Sequence, residues 1–250
     1  MKITLSENAV QLGERAAVLA AAELNAAIGK NGSARLVLST GASQFETIGA
    51  LVKKSVDWSK VEVFHLDEYV DLPITHPASF RKYIKERFGD FVNAKAIYYV
   101  NTEGDIEENI AEVTAKLREK PVDVALIGIG ENAHIAFNDP PADFDNDNAY
   151  IVVKLDDKCR NQQLGEGWFA TIDEVPTHAV SMTVKEIMKS KVIISCVPHK
   201  VKAQAIKDTL ENDLTPYVPA TMLKQHDNFN LFVDKNSASA VEIERYIKGI

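Results

Sequence analysis

The chain has 250 residues, of which 46% are hydrophobic, and a formal net charge of −8 at pH 7. This length suffices to bury the core of one large domain, and we predict a single domain spanning residues 1–250. The acidic balance, without a block of Lys and Arg, opposes unaided binding to nucleic acid or to an anionic membrane. No apolar run approaches the roughly 18 residues that a membrane-spanning helix needs.

The cysteines and the first residues bear on location. Cys159 and Cys196 lie far apart and have no spacing typical of a zinc site or a disulfide framework. Residues 1–10 lack the basic start and the unbroken apolar stretch of a secretory signal. We therefore expect a reducing, cytoplasmic location and no bound metal.

Helical and strand patterns alternate along the chain. The predicted elements are, in order, helix 7–28, strand 34–39, helix 45–53, strand 61–66, helix 79–88, helix 106–117, strand 122–129, strand 191–197, helix 200–211, strand 229–234 and a C-terminal helix. Residues 139–148 read as a long loop. Apolar strands alternating with helices predict an α/β fold of three layers, α/β/α, with a doubly wound, mostly parallel, Rossmann-like sheet.

Polar segments follow three of the predicted strands, at the edge where an open parallel sheet binds its ligands. The first is Thr40-Gly41-Ala42-Ser43. Its small residues let backbone N–H groups approach an anion such as a sugar phosphate, with the positive end of a helix behind them. Such turns are also common without a ligand, and the glycine fingerprints of dinucleotide sites and P-loops are absent. A structural role for this turn stays open.

The second segment puts two carboxylates side by side, Asp67 and Glu68, directly after a strand. One of them suits a general base for a proton next to a carbonyl, and the other suits a helix cap or a partner for a cation. Taken alone, the pair is more simply explained by structure than by catalysis.

The third segment, GIGENAHIAFNDP at 128–140, follows the most apolar strand. His134 lies between Asn132, two residues before it, and Asp139, five residues after it. An imidazole suits the transfer of the ring-oxygen proton when a pyranose opens, and neighbouring side-chain oxygens would set its tautomer.

Read together, these segments resemble three consecutive signatures of the glucosamine-6-phosphate deaminases/isomerases, a family within the 6-phosphogluconolactonase superfamily. The matching stretches are STGASQFETIGAL from residue 39, FHLDEYVDLPITHPASFRKYI from residue 64 and IGIGENAHIAFNDP from residue 127. The resemblance continues through AVSMTV from residue 179 and through residues 202–223, so it covers nearly the whole chain. The run at 67–79 favours the deaminase branch, because the equivalent loop of the lactonases usually carries a basic residue after the acidic pair.

The resemblance implies a cofactor-independent aldose–ketose isomerisation of an amino-sugar 6-phosphate with loss of ammonia. It implies that Asp67 moves a proton between C2 and C1, and that His134 catalyses ring opening. It also implies that Lys202 binds the phosphate, although this lysine alone would read as an ordinary exposed helix residue. The predicted substrate contacts are Thr40, Gly41, Ala42, Ser43, Glu68, Ala133, Arg160 and Lys202.

Two departures from the family pattern affect the histidine. The family's carboxylate two residues before it is Asn132 here, and the family's glutamate after Asn138 is Asp139. Asn132 brings no negative charge, an effect worth about 1–3 kcal/mol on an imidazolium. We therefore expect slower ring opening, and the role of Asp139 stays open. The resemblance also implies galactosamine 6-phosphate as an alternative substrate, because some relatives that act on this epimer carry asparagine at the position of Asn132.

A third departure concerns the family's phosphate-binding arginine. The order of residues is LDDKCRNQQLGEGWF from residue 155, where Arg160 is the arginine available and Lys158 is its rival. The basic cluster of the allosteric members is also absent, so we expect no activation by an acetylated sugar phosphate.

Three rival functions stay open. A lactonase-like hydrolase would use His134 to activate water, and a simple isomerase would act on a sugar without an amino group. A non-catalytic sugar-phosphate sensor is the third, although this acidic chain has no length to spare for a DNA-binding domain. The expected partner is a small sugar phosphate, whereas the sequence leaves open a homo-oligomer and closure of loop 139–148 over the substrate.

Overall fold

The computed structural model describes residues 1–165 and 167–247, with the side chains of Lys158 and Gln162 also outside the description. The strands are β1 (Lys2–Ser6), β2 (Ala34–Leu38), β3 (Val61–His65), β4 (Asp67–Tyr69), β5 (Ala96–Tyr98), β6 (Val124–Ile127), β7 (Tyr150–Lys154), β8 (His178–Met182), β9 (Val192–Val197) and β10 (Phe229–Asp234).

Helices connect most of these strands. The α-helices are α1 (Ala9–Asn31), α2 (Phe45–Leu51), α3 (Phe80–Arg87), α4 (Ile106–Arg118), α5 (Asp157–Gly165), α6 (Val184–Ile187), α7 (Ala203–Glu211) and α8 (Glu244–Ile247). Short 3₁₀ helices cover Ala42–Gln44, Trp58–Lys60, Gly89–Phe91, Ile172–Glu174, Lys200–Lys202 and Pro219–Gln225. Within the described ranges, no helix is long and apolar enough to cross a membrane.

Among the described residues, the main sheet has seven strands in the order β1-β10-β9-β6-β2-β3-β5, and all its pairings are parallel. Side chains alternate between its two faces, as they must in a strand. In β2, for example, Leu36 and Leu38 join the core under α1, α2 and α3, while Val37 joins the core under α4 and α7. The predicted three-layer, mostly parallel fold is confirmed.

Several elements were not predicted. β1 and β5 form the two edges of the main sheet, and β4, β8 and β7 form a second, antiparallel sheet. α5 is also new, and the helix predicted from residue 200 begins as a 3₁₀ turn. The predicted loop at 139–148 is confirmed as free of regular secondary structure.

The order of the main sheet positions the site. β9, β6, β2 and β3 are consecutive neighbours at its centre, although they are far apart along the chain. Because all four run in parallel, the segments that follow them meet at one edge. This edge is the ligand-binding edge of open α/β sheets.

Candidate active site

A cavity of about 200 Å³ lies beyond the carboxyl ends of these four central strands. Each strand contributes one part of its lining: residues 40–43 follow β2, Asp67 follows β3, His134 follows β6, and Lys202 follows β9. The structure thus brings together side chains from four separate segments. Lys202 is largely buried at the cavity and lies on the 3₁₀ turn before α7, so it is not an ordinary exposed helix residue.

Residues 40–43, which we call the anion loop, present backbone donors. Gly41 has φ 95° and ψ 164°, a conformation open essentially to glycine alone. No described residue accepts a hydrogen bond from the backbone N–H groups of the loop. The Ser43 hydroxyl accepts from Nε2 of Gln44 at 3.0 Å, which leaves its own proton available to a ligand. The loop can therefore bind an anion through several N–H groups and a hydroxyl.

Asp67 is a nearly buried carboxyl group at the cavity. No described residue donates a hydrogen bond to it or pairs with it, and Asp67 is only 7% exposed. Burial, together with the neighbouring charge of Glu68, raises the pKa of Asp67 to about 8. A carboxylate with that pKa is a far stronger base than an exposed one, as proton abstraction next to a carbonyl requires.

Glu68 points away from the cavity and anchors α3. Its carboxylate accepts hydrogen bonds from the Ser79 hydroxyl at 2.8 Å, from the N–H of Phe80 at 3.1 Å, and from the N–H and Nε of Arg81 at 2.8 and 3.3 Å. These hydrogen bonds favour the carboxylate and lower the pKa of Glu68, but burial outweighs them and raises it. The helix-cap and cation-partner role matches this geometry, whereas contact of Glu68 with the substrate does not.

The imidazole of His134 lies beside a carboxylate, that of Asp139. Its Nδ1 is 3.0 Å from Oδ1 of Asp139, although the ring is turned out of good hydrogen-bond alignment. Asn132 donates to the same Oδ1 at 2.9 Å and accepts from the backbone N–H of His134 at 3.2 Å. Burial would raise the pKa of Asp139, but His134, Asn132 and the Cys159 thiol outweigh it and hold that pKa below its usual value.

The imidazole ring of His134 packs directly against the backbone of Gly130, in the turn before it. A Cβ on Gly130 would come within 2.2 Å of Nε2 of His134, so only glycine leaves room for the imidazole. Ala133 is buried at φ 63°, and its carbonyl accepts from the N–H of Ala220 at 2.9 Å. Ala133 does not line the cavity, so it shapes the turn rather than contacting a ligand.

Comparison with known proteins identifies the family. The family model described as glucosamine-6-phosphate isomerases/6-phosphogluconolactonase matches residues 7–232. The chain belongs to this family.

Individual members of the family match over nearly full length. The glucosamine-6-phosphate deaminases of Clostridium botulinum (strain Eklund 17B / Type B) and Lactobacillus delbrueckii subsp. bulgaricus (strain ATCC BAA-365 / Lb-18) are each 32% identical to this chain. These alignments cover 98% and 97% of this chain and 99% and 100% of the relatives. The solved structure of a monomeric glucosamine-6-phosphate deaminase matches with TM-score 0.88 at 27% identity, covering 96% of this chain and 100% of that one. A 6-phosphogluconolactonase from Thermotoga maritima, with TM-score 0.76 at 18% identity over 94% of this chain and 99% of that one, shares the fold.

Arg160, which the sequence predicted as a contact of the phosphate, does not line the cavity. Its guanidinium donates to the carbonyl of Ile172 at 2.5 Å and to that of Val175 at 3.1 Å, and it lies 3.7 Å from Asp157. These contacts tie α5 to the 3₁₀ turn at Ile172–Glu174, away from the cavity lining. The side chain of its rival, Lys158, lies outside the described residues.

Several residues that line the cavity were not predicted from the sequence. They are Phe80, Glu131, Phe137, Gln163, His199 and Val201. His199 follows β9 and has φ 79°, which is rare for a side chain of this size. The strand-end rule that found the other segments also applies after β9, so this histidine could have been found. Gln163 lies on α5, which no sequence pattern indicated. Among the described residues there is no group of three or more side chains suited to hold a metal ion.

Proposed function

We propose that this protein converts an amino-sugar 6-phosphate to a ketose 6-phosphate with release of ammonia. Glucosamine 6-phosphate, which gives fructose 6-phosphate, is the first substrate to test because the similar deaminases are named for it, and the galactosamine epimer is the second. One observation carries the proposal: a single cavity joins a carboxyl group of raised pKa, an imidazole–carboxylate pair and an anion loop with a lysine.

The phosphate is bound at the anion loop. The unpaired N–H groups of residues 40–43, the hydroxyl of Ser43 and the cation of Lys202 suit a dianionic oxygen cluster. This attachment holds the sugar by its C6 end and leaves C1 and C2 for the opposite side of the cavity. Binding at a remote group orients the reacting carbons without entering the chemistry itself.

Ring opening is assigned to His134. Its imidazole transfers the proton between the O1 hydroxyl and the ring oxygen O5, so the C1–O5 bond breaks and an aldehyde forms at C1. The carboxylate of Asp139, 3.0 Å from Nδ1, stabilises the imidazolium that forms on the way. Asn132 orients Asp139, so the negative charge expected at residue 132 is supplied from residue 139 instead.

Isomerisation is assigned to Asp67. In its ionised form it removes the proton from C2 of the open-chain sugar, and the electron pair moves to give an enediol-like intermediate that carries the amino group at C2. Asp67 then returns the proton to C1, leaving an imine at C2. Water adds to C2 and ammonia leaves, so the sugar and one water become a ketose 6-phosphate and ammonia.

The single domain over residues 1–250 and the cytoplasmic location remain parts of this proposal. Both cysteines are free and buried, which is compatible with a reducing compartment. A homo-oligomer is not required, because the cavity described above is lined by one chain, and the structurally similar deaminase is described as monomeric.

The test is ammonia release and ketose formation from purified protein given glucosamine 6-phosphate and galactosamine 6-phosphate in parallel. We expect turnover of one of the two sugars, and its loss by at least about 10³-fold in Asp67→Asn, which keeps the shape but removes the base. Asp71→Asn, a nearby exposed carboxylate, is the matched control with unchanged activity.

Each rival gives a different result. Hydrolysis of 6-phosphogluconolactone without ammonia release would establish the lactonase function, and ketose formation from a sugar without an amino group would establish simple isomerisation. Binding of both amino sugars without turnover would favour either the sensor or an enzyme with a different substrate.

A further inference from the structure

The anion loop works only if its peptide planes turn their N–H groups toward the cavity. The peptide between Gly41 and Ala42 is planar and trans, so its C=O and its N–H point in opposite directions. Two donors hold the Gly41 carbonyl: the hydroxyl of Tyr83 at 3.0 Å and the backbone N–H of Gln44 at 3.0 Å. Whatever fixes this carbonyl therefore also fixes the direction of the Ala42 N–H.

We propose that Tyr83 is a positioning residue for phosphate binding, acting through the Gly41 carbonyl on the donors of the anion loop. The inference rests on the proposed function, since it assumes that the loop binds the substrate's phosphate. Tyr83 itself is absent from the lining of the main cavity, so it acts on the phosphate only through the loop.

The ring of Tyr83 is held in one orientation. It stacks on Phe45, at the start of α2, with ring centroids 5.6 Å apart and an angle of 17° between the planes. The guanidinium of Arg87 lies 3.7 Å from the centroid of Phe45 and 5.4 Å from that of Tyr83. These contacts do not involve the hydroxyl, so its removal leaves the ring packed and isolates the hydrogen bond to Gly41.

Helix α3, which carries Tyr83, contacts both the segment of Asp67 and the anion loop. The first turn of α3 is anchored on Glu68, next to Asp67, and Tyr83 follows less than one turn after Arg81. α3 therefore sets the spacing between the proposed base and the proposed phosphate site. A hexose 6-phosphate must span that spacing, so a shift of the loop weakens binding of the whole substrate.

The experiment compares Tyr83→Phe with the wild type by steady-state kinetics and by calorimetric titration with inorganic phosphate. We expect the dissociation constant for phosphate and the KM for the sugar phosphate to rise together by about three- to tenfold, the range for one lost hydrogen bond, with kcat within about twofold. Tyr99→Phe is the matched control, because Tyr99 packs on the same core and donates no hydrogen bond to the loop. Its phosphate affinity and KM should not change.

The readouts separate the inference from the proposed function. A wild type that binds phosphate but releases no ammonia contradicts the function, while the phosphate titration of Tyr83→Phe still tests the inference. Unchanged phosphate affinity in Tyr83→Phe, or a fall in kcat without a rise in KM, overturns the inference. It is also overturned if the wild type binds no phosphate.

Discussion

The position of His134 depends on a residue with no side chain. Gly130 lies so close to the imidazole that an added Cβ would be 2.2 Å from Nε2. We predict that Gly130→Ala displaces the ring and lowers kcat by about 10²-fold or more, because a shift of about 1 Å is enough to disturb proton transfer. Phosphate affinity should stay unchanged, since the anion loop is on another segment. Steady-state kinetics and phosphate titration measure both effects.

The control for this substitution is Gly29→Ala in α1, where an added Cβ meets nothing within 4 Å. This variant should keep full activity and gain up to about 1 kcal/mol of stability from the better helix former. Wild-type kcat in Gly130→Ala would contradict the role of the His134 ring position in proton transfer.

The charge beside His134 comes from Asp139. We predict that Asp139→Asn lowers kcat by about 10²- to 10⁴-fold, because an amide cannot stabilise the imidazolium and favours no single tautomer. Asp143→Asn, an exposed carboxylate in the same loop, should have wild-type kinetics. If ring opening is not rate-limiting, the loss appears instead in the anomerisation rate of the bound sugar, measured by NMR exchange. Wild-type values of both rates in Asp139→Asn would exclude this role.

Residue types alone could locate the main side chains of the site but not their pairing. The sequence indicated Asp67 and His134 because strand ends and the family resemblance both point to them, whereas Lys202 was indicated by the resemblance alone. It left the role of Asp139 open, because that residue reaches His134 only through a turn with positive φ at Ala133 and Ala136. Alanine does not signal such a conformation, unlike glycine or asparagine.

At the scale of elements, α3 depends on a buried carboxylate. We predict that Glu68→Gln lowers the free energy of unfolding by about 2–4 kcal/mol, because glutamine keeps one acceptor oxygen and turns an NH₂ group toward the N–H groups of Arg81. Asp90→Asn removes the exposed pair with Lys85, 2.9 Å apart, and should leave stability nearly unchanged, because water screens exposed ion pairs. Urea denaturation measures both. Equal losses in the two variants would contradict the anchoring role.

The elements that the sequence did not reveal share a physical cause. β1 and β5 are edge strands of five and three residues, covered on fewer sides, so their apolar pattern is weak. β4, at Asp67–Tyr69, is also three residues long and consists of site residues. Long apolar strands such as β9 and β10 were predicted almost to the residue, because burial on both faces demands a continuous apolar run.

At the scale of the whole molecule, the strand order could not be predicted from local patterns. β6 lies between β2 and β9, far from both in sequence, and this order results from packing of the whole chain. The site was still predictable, because every parallel strand delivers its following segment to the same edge, whatever the order. Arg160 marks the limit of that rule: it lies on α5, beyond the short antiparallel sheet, where no parallel strand fixes its direction.

The free energy of unfolding of the whole molecule should depend on pH because of Asp67. Its pKa is about 8 in the folded protein and about 3.8, the ordinary value of an aspartate, in the unfolded chain, so between these values the folded state binds the additional proton. Stability contributed by this group is therefore present at low pH and is lost as the pH rises from about 4 to about 8. We predict that Asp67→Asn is more stable than the wild type at about pH 9, by on the order of a few kcal/mol, and nearly equal to it at about pH 4.

Urea denaturation of both proteins across this range measures the difference. A gap between wild type and Asp67→Asn that stays constant across the range would contradict the raised pKa. A gap that widens with pH would mean that the chain keeps a dehydrated carboxylate at the cavity despite its cost in stability. If Asp67→Asn also loses activity, the same buried carboxylate both lowers stability and provides the basicity that proton abstraction from C2 requires.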